Sequence, residues 1–273
     1  MGIHVLERRV KMVRNKFMKK YIAVLVLVLF VGSSFTNKSK PDINIVFIGD
    51  SITQGVQLAD VATEAPPAVA AAYLQKQKNL GTINFSNQGH SGYTTLDFLP
   101  GTQTFAKVEE AASSFTDKDA LLIFSIKLGT NDSAIKGPHG APASPEDYQK
   151  NLKIIVNKLL ADFPKAIIIF QHPLWYSPNT HNGAQYLQEG LTRLQSYVPM
   201  IDNLVKSYSL TNPNQFFVGD TKAFGYFKKH HLTDQIPEDG KQGIFYLHPN
   251  KKGAAALGIF WGKAINKIIK RNF

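Results

Sequence analysis

Residues Ile43 to Gln57 read INIVFIGDSITQGVQ. Ile43, Ile45, Val46, Phe47 and Ile48 form a short continuous apolar run rich in β-branched side chains, the pattern of a strand buried on both faces of a parallel sheet. Gly49 ends the run, and Asp50, Ser51 and Thr53 follow at once. Polar residues at the carboxyl end of a buried parallel strand stand where α/β sheets place their ligands.

Working outward, the same alternation repeats. Residues 64–81, EAPPAVAAAYLQKQKNLG, read as a helix with Pro67 in its first turn and Gly81 able to cap its end. Ile83 to Phe85 form a short strand that leads into a polar loop, NQGHSGYTT. After a helical TFAKVEEAASSF, Ala120 to Ile126 form a second buried strand that runs into LGTND. SPEDYQKNLKIIVNKLLADFP is the clearest helix. Ser144 can cap it, Pro145 takes the first helical position, and Tyr148, Leu152, Ile155, Val156, Leu159 and Leu160 form its apolar stripe. KAIIIFQHP is another buried strand and QFFVGD a short one; between them lies a long helix with Pro199 as a kink or break. Residues 228–244 are polar and poorly periodic and read as a surface loop. A last amphipathic helix covers Lys251 to Lys270. Strands alternating with helices predict a three-layer α/β/α sandwich around a central parallel sheet of about five strands.

Composition narrows the function. The 273 residues contain no cysteine, which excludes a disulfide scaffold, a thiolate nucleophile and a Cys-ligated zinc site. The net charge of +11 is concentrated early: residues 1–37 hold seven Lys/Arg against one Glu, and the remainder 24 basic against 19 acidic residues. The basic residues of the body are scattered and no nucleic-acid motif is present, so no nucleic-acid partner is expected. Two lysines, an apolar run from Tyr21 to Val31 and then Gly32, Ser33 and Ser34 have the layout of a secretory signal near residues 18–34. Eleven apolar residues are short for a membrane span, which needs about 20. The expected organisation is therefore a signal peptide or N-terminal anchor over 1–37 and one domain over 38–273. The body is exported to the periplasm or outside the cell, and membrane contact is made only through the N-terminal segment if it is uncleaved.

Four polar clusters stand at strand ends or before the last helix: GDSIT (49–53), NQGHSGYTT (87–95), LGTND (128–132) and YLHPN (246–250). A serine hydroxyl is a weak nucleophile without a neighbouring base; Ser51 is the exposed hydroxyl and His248 the natural base. Attack on an ester carbonyl makes an oxyanion that needs preorganised donors, and the backbone N–H groups of Ser51 and Gly89 with the side-chain amide of Asn131 can supply three. Asp50 shapes the turn beside Ser51. His90, His139, His172, His230 and His231 read as surface or loop residues, with no metal-ligand spacing among them, so neither metal nor cofactor is expected. Tyr93, Trp175 and Tyr176 either line the pocket or pack ordinarily.

These clusters, in this order, resemble the sequence blocks of the SGNH hydrolase superfamily, the GDSL-type esterases and lipases, over residues 43 to about 265. The family's Ser, Gly, Asn and His fall on Ser51, Gly89, Asn131 and His248. The resemblance implies a flavodoxin-like five-stranded parallel sheet and a carboxylic ester hydrolase. It also exposes a departure: the family's usual Asp three residues before the His is here Phe245. Asp220 is the first candidate for an orienting acid, with Asp239 and Asp234 next; a backbone carbonyl holding the imidazole is the alternative. The resemblance further implies a carbohydrate O-acetylesterase acting on a small-molecule or polysaccharide acyl ester, which fits the export expected from the N-terminal segment. The rivals are a lysophospholipase or thioesterase, an O-acetyltransferase and a non-catalytic carbohydrate-binding relative.

Overall fold

β1 (Ile43–Gly49) is buried at every position, which is why its apolar run shows no alternation. It pairs in parallel with β2 (Ile83–Gly89) on one side and β3 (Leu121–Lys127) on the other; β4 (Ile167–Phe170) and β5 (Phe216–Val218) extend the sheet beyond β3. The order β2-β1-β3-β4-β5 is a five-stranded parallel sheet. The computed structural model describes Lys40–Phe273, which forms one unit, and before it Lys11, Met12, Arg14 and Met18, all helical. The signal or anchor expected over 1–37 otherwise lies outside the described residues. Among the described residues no helix is long and apolar enough to cross a membrane.

Eight helices of the described unit accompany the sheet: α1 (Ser51–Gln54), α2 (Val61–Glu64), α3 (Pro66–Gln75), α4 (Gln103–Ser114), α5 (Pro145–Asp162), α6 (Leu187–Ser209), α7 (Ala223–Asp234) and α8 (Lys251–Asn272). They flank it in pairs, α3 against α8 and α5 against α6. The α5 cap is the one expected, with Ser144 Oγ accepting from the Asp147 N–H and Pro145 in the first turn. α3 stops at Gln75, so Gly81 caps nothing. α6 runs through Pro199 unbroken. A proline removes one ladder bond, and the buried face of Leu191, Leu194, Tyr197, Ile201 and Leu204 holds the helix across that gap.

Residues 228–244 are not a loop. Their first part is the end of α7. The rest is β6 (Gln235–Gly240) turning at Lys241-Gln242 into β7 (Gly243–Pro249), an antiparallel hairpin separate from the main sheet. Phe245 and Leu247 point into the core at 1% and 3% exposure, and this anchoring fixes which side chains of β6 and β7 face the other way.

Candidate active site

Gly49 lets β1 turn directly into α1: a Cβ there would stand 2.0 Å from Thr53 Oγ1 and 2.7 Å from the Lys127 carbonyl oxygen. Asp50 is the N-cap, with Oδ1 accepting from the Ile52 N–H at 3.0 Å and Oδ2 from Lys127 Nζ at 2.9 Å. Lys127 is wholly buried; burial pulls its pKa down, Asp50 opposes this, and Nζ also donates to Thr130 Oγ1. This internal ion pair pins the turn that carries Ser51 at the first position of α1.

His248 lies near the end of β7, two residues before Asn250, which caps α8. Its Nε2 stands 3.0 Å from Ser51 Oγ. Its Nδ1 stands 2.8 Å from Glu238 Oε1, and its backbone N–H approaches the same oxygen at 3.3 Å. Gln57, reached by the chain just after α1 with a left-handed φ of 68°, donates to Glu238 Oε2 at 3.0 Å. Burial pushes the Glu238 carboxyl pKa up, but the hydrogen bonds and charge of His248 and the bond from Gln57 outweigh it and leave the pKa below its ordinary value. An ionised carboxylate only accepts hydrogen bonds, so Nδ1 carries the proton and the Nε2 lone pair faces the Ser51 hydroxyl.

The orienting acid is thus a residue absent from the expected candidates. Asp220 does not reach His248: its two oxygens accept from the backbone N–H groups of Lys222 and Ala223 at 3.0 and 2.9 Å, at the start of α7. Asp234 is held by Tyr226, Thr233 and Lys252. Glu238 pairs across the hairpin with Phe245. The carboxylate missing from position 245 is therefore supplied by the residue opposite it on the neighbouring strand.

A cavity of about 340 Å³ opens over Ser51 and His248, walled by Ser91, Gly92, Asn131, Gly137, Pro138, residues 182–184, Tyr186 and Leu247. Asn131 is fixed in orientation. Its Oδ1 accepts from the Tyr186 hydroxyl at 2.7 Å and its Nδ2 donates to the Tyr93 carbonyl at 2.8 Å, which leaves one amide hydrogen for the cavity. Gly89 is not part of this wall. Its N–H donates to Asn87 Oδ1 at 3.0 Å, and its Cα packs so closely on the Thr53–Gln54 backbone that a Cβ would stand 2.2 Å from Gln54 N. Gly92, three residues on, lines the cavity with φ +80° and open space beside it. The polar loop after β2 thus contributes its second glycine and not its first. Trp175 and Tyr176 are buried in the core; the aromatic wall of the cavity is Tyr186.

Residues 47–256 match the model of the GDSL-like lipase/acylhydrolase family. The chain belongs to this family. No curated protein matches it by sequence. Among solved structures, it is similar to the aryl esterase of M. smegmatis, at 17% identity and a TM-score of 0.55 over 82% of this chain and 99% of that one. A carbohydrate acetylesterase from Sinorhizobium meliloti is similar at 18% identity and TM-score 0.54, over 84% and 99% of the two chains. A two-domain esterase active on acetylated mannans is similar at 18% and 0.51, over 83% of this chain and 49% of the other. At these identities the likeness shows the shared GDSL fold. Within that fold, no local pattern marked the carboxylate of this GDSL chain: β6 reads QIPEDG, and only its pairing with β7 sets Glu238 against Phe245.

Proposed function

We propose that the protein is a serine esterase that removes small acyl groups, acetyl first, from O-acylated carbohydrate outside the cytoplasm. The observation that carries this is the continuous contact from Ser51 Oγ through the His248 ring to Glu238, opening on a small polar cavity. Ser51 attacks the acyl carbonyl while His248 Nε2 takes its proton. Glu238 stabilises the imidazolium, and Gln57 holds the far carboxylate oxygen. The N–H groups of Ser51 and Gly92 and the free Asn131 amide hydrogen face the growing oxyanion; preorganised donors of this kind are each worth about 10²–10³ in rate. Collapse expels the sugar alkoxide, which takes the proton from His248. Water, deprotonated by the same imidazole, then releases the acid and restores Ser51.

Three features support acetate over a long acyl chain. The cavity holds about 340 Å³, at the low end for a ligand site. Part of its wall is built from the small residues Gly137, Gly183 and Ala184, where a Cβ on Gly137 would stand 2.7 Å from Ala184 Cβ. Two structural relatives act, by description, on acetylated carbohydrate. Export is read from the early basic and apolar segment of the sequence. The test is hydrolysis of p-nitrophenyl acetate, butyrate and octanoate by wild type and Ser51→Ala. Acetate is expected to be cleaved fastest and Ser51→Ala to be inactive; preference for octanoate moves the protein to lipid substrates, and equal rates in wild type and variant refute the mechanism.

A further inference from the structure

A second concavity lies at the far edge of the sheet, between the carboxyl end of β5 and the outer face of α8, and encloses about 470 Å³. Its floor is apolar, with Phe217, Phe260 and Ile268. Its walls are cationic. Lys263, Lys267 and Arg271 follow one another at every fourth position along α8, and Lys222 faces them from the segment after β5. One helical turn separates successive charges, so the three span roughly 12 Å. None of the four cations has a carboxylate within salt-bridge distance among the described residues. The acid in the wall, Asp220, is buried and turned to the Lys222 and Ala223 N–H groups.

Helix-dipole complementarity accounts for cations in the last turn of α8, but the effect fades within one turn. It does not reach Lys263 or Lys267, and Lys222 is on another element. The opposite face of α8 is already committed: Gly258 and Gly262 lie so close to α3 that a Cβ on either would meet Pro66 O or Tyr73 at 2.6–2.7 Å. The cationic face is the side of the helix left for a ligand.

We propose that this groove binds a strand of carboxylate-bearing polysaccharide, gripping it so that its acyl esters are held near Ser51. The choice of a glycan rests on the carbohydrate-esterase reading above. The choice of an acidic one rests on the groove itself. A row of charges one turn apart suits an extended polymer with repeating carboxylates. The aromatic and aliphatic floor suits the apolar faces of sugar rings. A concavity between a strand end and a helix does not suit a flat membrane. The row starts at Lys263, twelve residues beyond the start of α8 beside His248, and so lies roughly 18–30 Å along the helix from that end, a span that an extended polymer of several sugar units covers.

The full chain is titrated calorimetrically with polygalacturonate and, in parallel, with its fully methyl-esterified form. Wild type is expected to bind the acid form, more weakly as salt rises, and not the ester. Lys263→Gln/Lys267→Gln is expected to weaken binding about tenfold. Lys222→Gln, on a separate element, is expected to weaken it in the same direction, and melting temperatures establish that both variants fold. Equal binding of the esterified polymer, unchanged binding in both variants, or no binding by wild type overturns the proposal. So does variant-sensitive binding to phosphatidylglycerol vesicles without polygalacturonate binding, which would make the groove a membrane contact. Wild-type hydrolysis of p-nitrophenyl acetate on the same sample reports the esterase reading separately: polymer binding without hydrolysis sinks that reading and leaves the groove standing.

Discussion

Replacing Glu238 by Gln keeps the shape of the side chain and removes one charge. In the proposed mechanism His248 takes the Ser51 proton, and in the structure its Nδ1 stands 2.8 Å from Glu238 Oε1. Two unit charges at that separation attract by about 6 kcal/mol at an effective dielectric of ~20. The imidazolium charge is shared between two ring nitrogens, so about half of this, ~3 kcal/mol, bears on the transition state. That corresponds to about two powers of ten in rate. Glu238→Gln is therefore expected to lower kcat/KM for p-nitrophenyl acetate about a hundredfold. The Gln57 amide can turn to offer its oxygen to the new amide, so an acceptor still faces Nδ1–H and the tautomer survives. Glu238→Ala removes that acceptor as well and is expected to cost about 10³–10⁴, the scale seen when a triad acid is lost and the tautomer is wrong. Asp220→Asn is the contrast. It weakens the start of α7 by about 1 kcal/mol, as cap losses do, and leaves kcat/KM within about twofold. Retention of a third or more of wild-type activity in Glu238→Gln, or an equal loss in Asp220→Asn, refutes the assignment of the acid.

Two further substitutions separate site from scaffold. Gly92→Ala must hold an L side chain at φ +80°, a strain of about 1–2 kcal/mol. It is expected to lower kcat by at least about tenfold as the N–H is re-aimed, with KM little changed; Gly89→Ala is expected to lower the melting temperature sharply instead, and a fully active Gly92→Ala refutes its place in the oxyanion site. Burial raises the Asp132 pKa to about 6 from the ordinary 3.8, against the hydrogen bonds from Thr95. The folded chain therefore binds a proton that the unfolded chain lacks between those values. This group's contribution is most favourable below about pH 4 and is lost as pH rises through 6, by roughly 3 kcal/mol in all. Urea denaturation at pH 4.5 and 7.5 is expected to show Asp132→Asn gaining on wild type at the higher pH; a constant difference refutes the buried charge.

The parts of the molecule written in local pattern were legible in the sequence. β1, β3 and β4 are runs of Ile, Val, Leu and Phe, and Ser144-Pro145 announces α5. Ser51, Asn131 and His248 stand at the ends of such elements, and the structure brings them together. What failed to show was set by contacts across the chain. β6 contains Pro237 and two acids and offers no period of its own; its strand character comes from pairing with β7, whose Phe245 and Leu247 are held by the core. In the sequence, Gly89 reads as the glycine that approaches the substrate, with Gly92 three residues on in the same polar loop. Only packing distinguishes them, since one is pressed against the Gln54 backbone and the other faces open space.

The hairpin has a kinetic consequence. Glu238 and His248 are ten residues apart in the chain, whereas Ser51 and His248 are 197 apart. Short loops close early and long ones late in folding. Glu238 and His248 are thus matched by a local event, and Ser51 meets them only when the first and last thirds of the chain have docked. An opening that lifts the hairpin and α8 away together would separate Ser51 from an imidazole still bound to its carboxylate. In the proposed mechanism, hydrolysis therefore requires this long-range docking as well as the local hairpin, so the return of activity during refolding is expected to lag behind the hairpin.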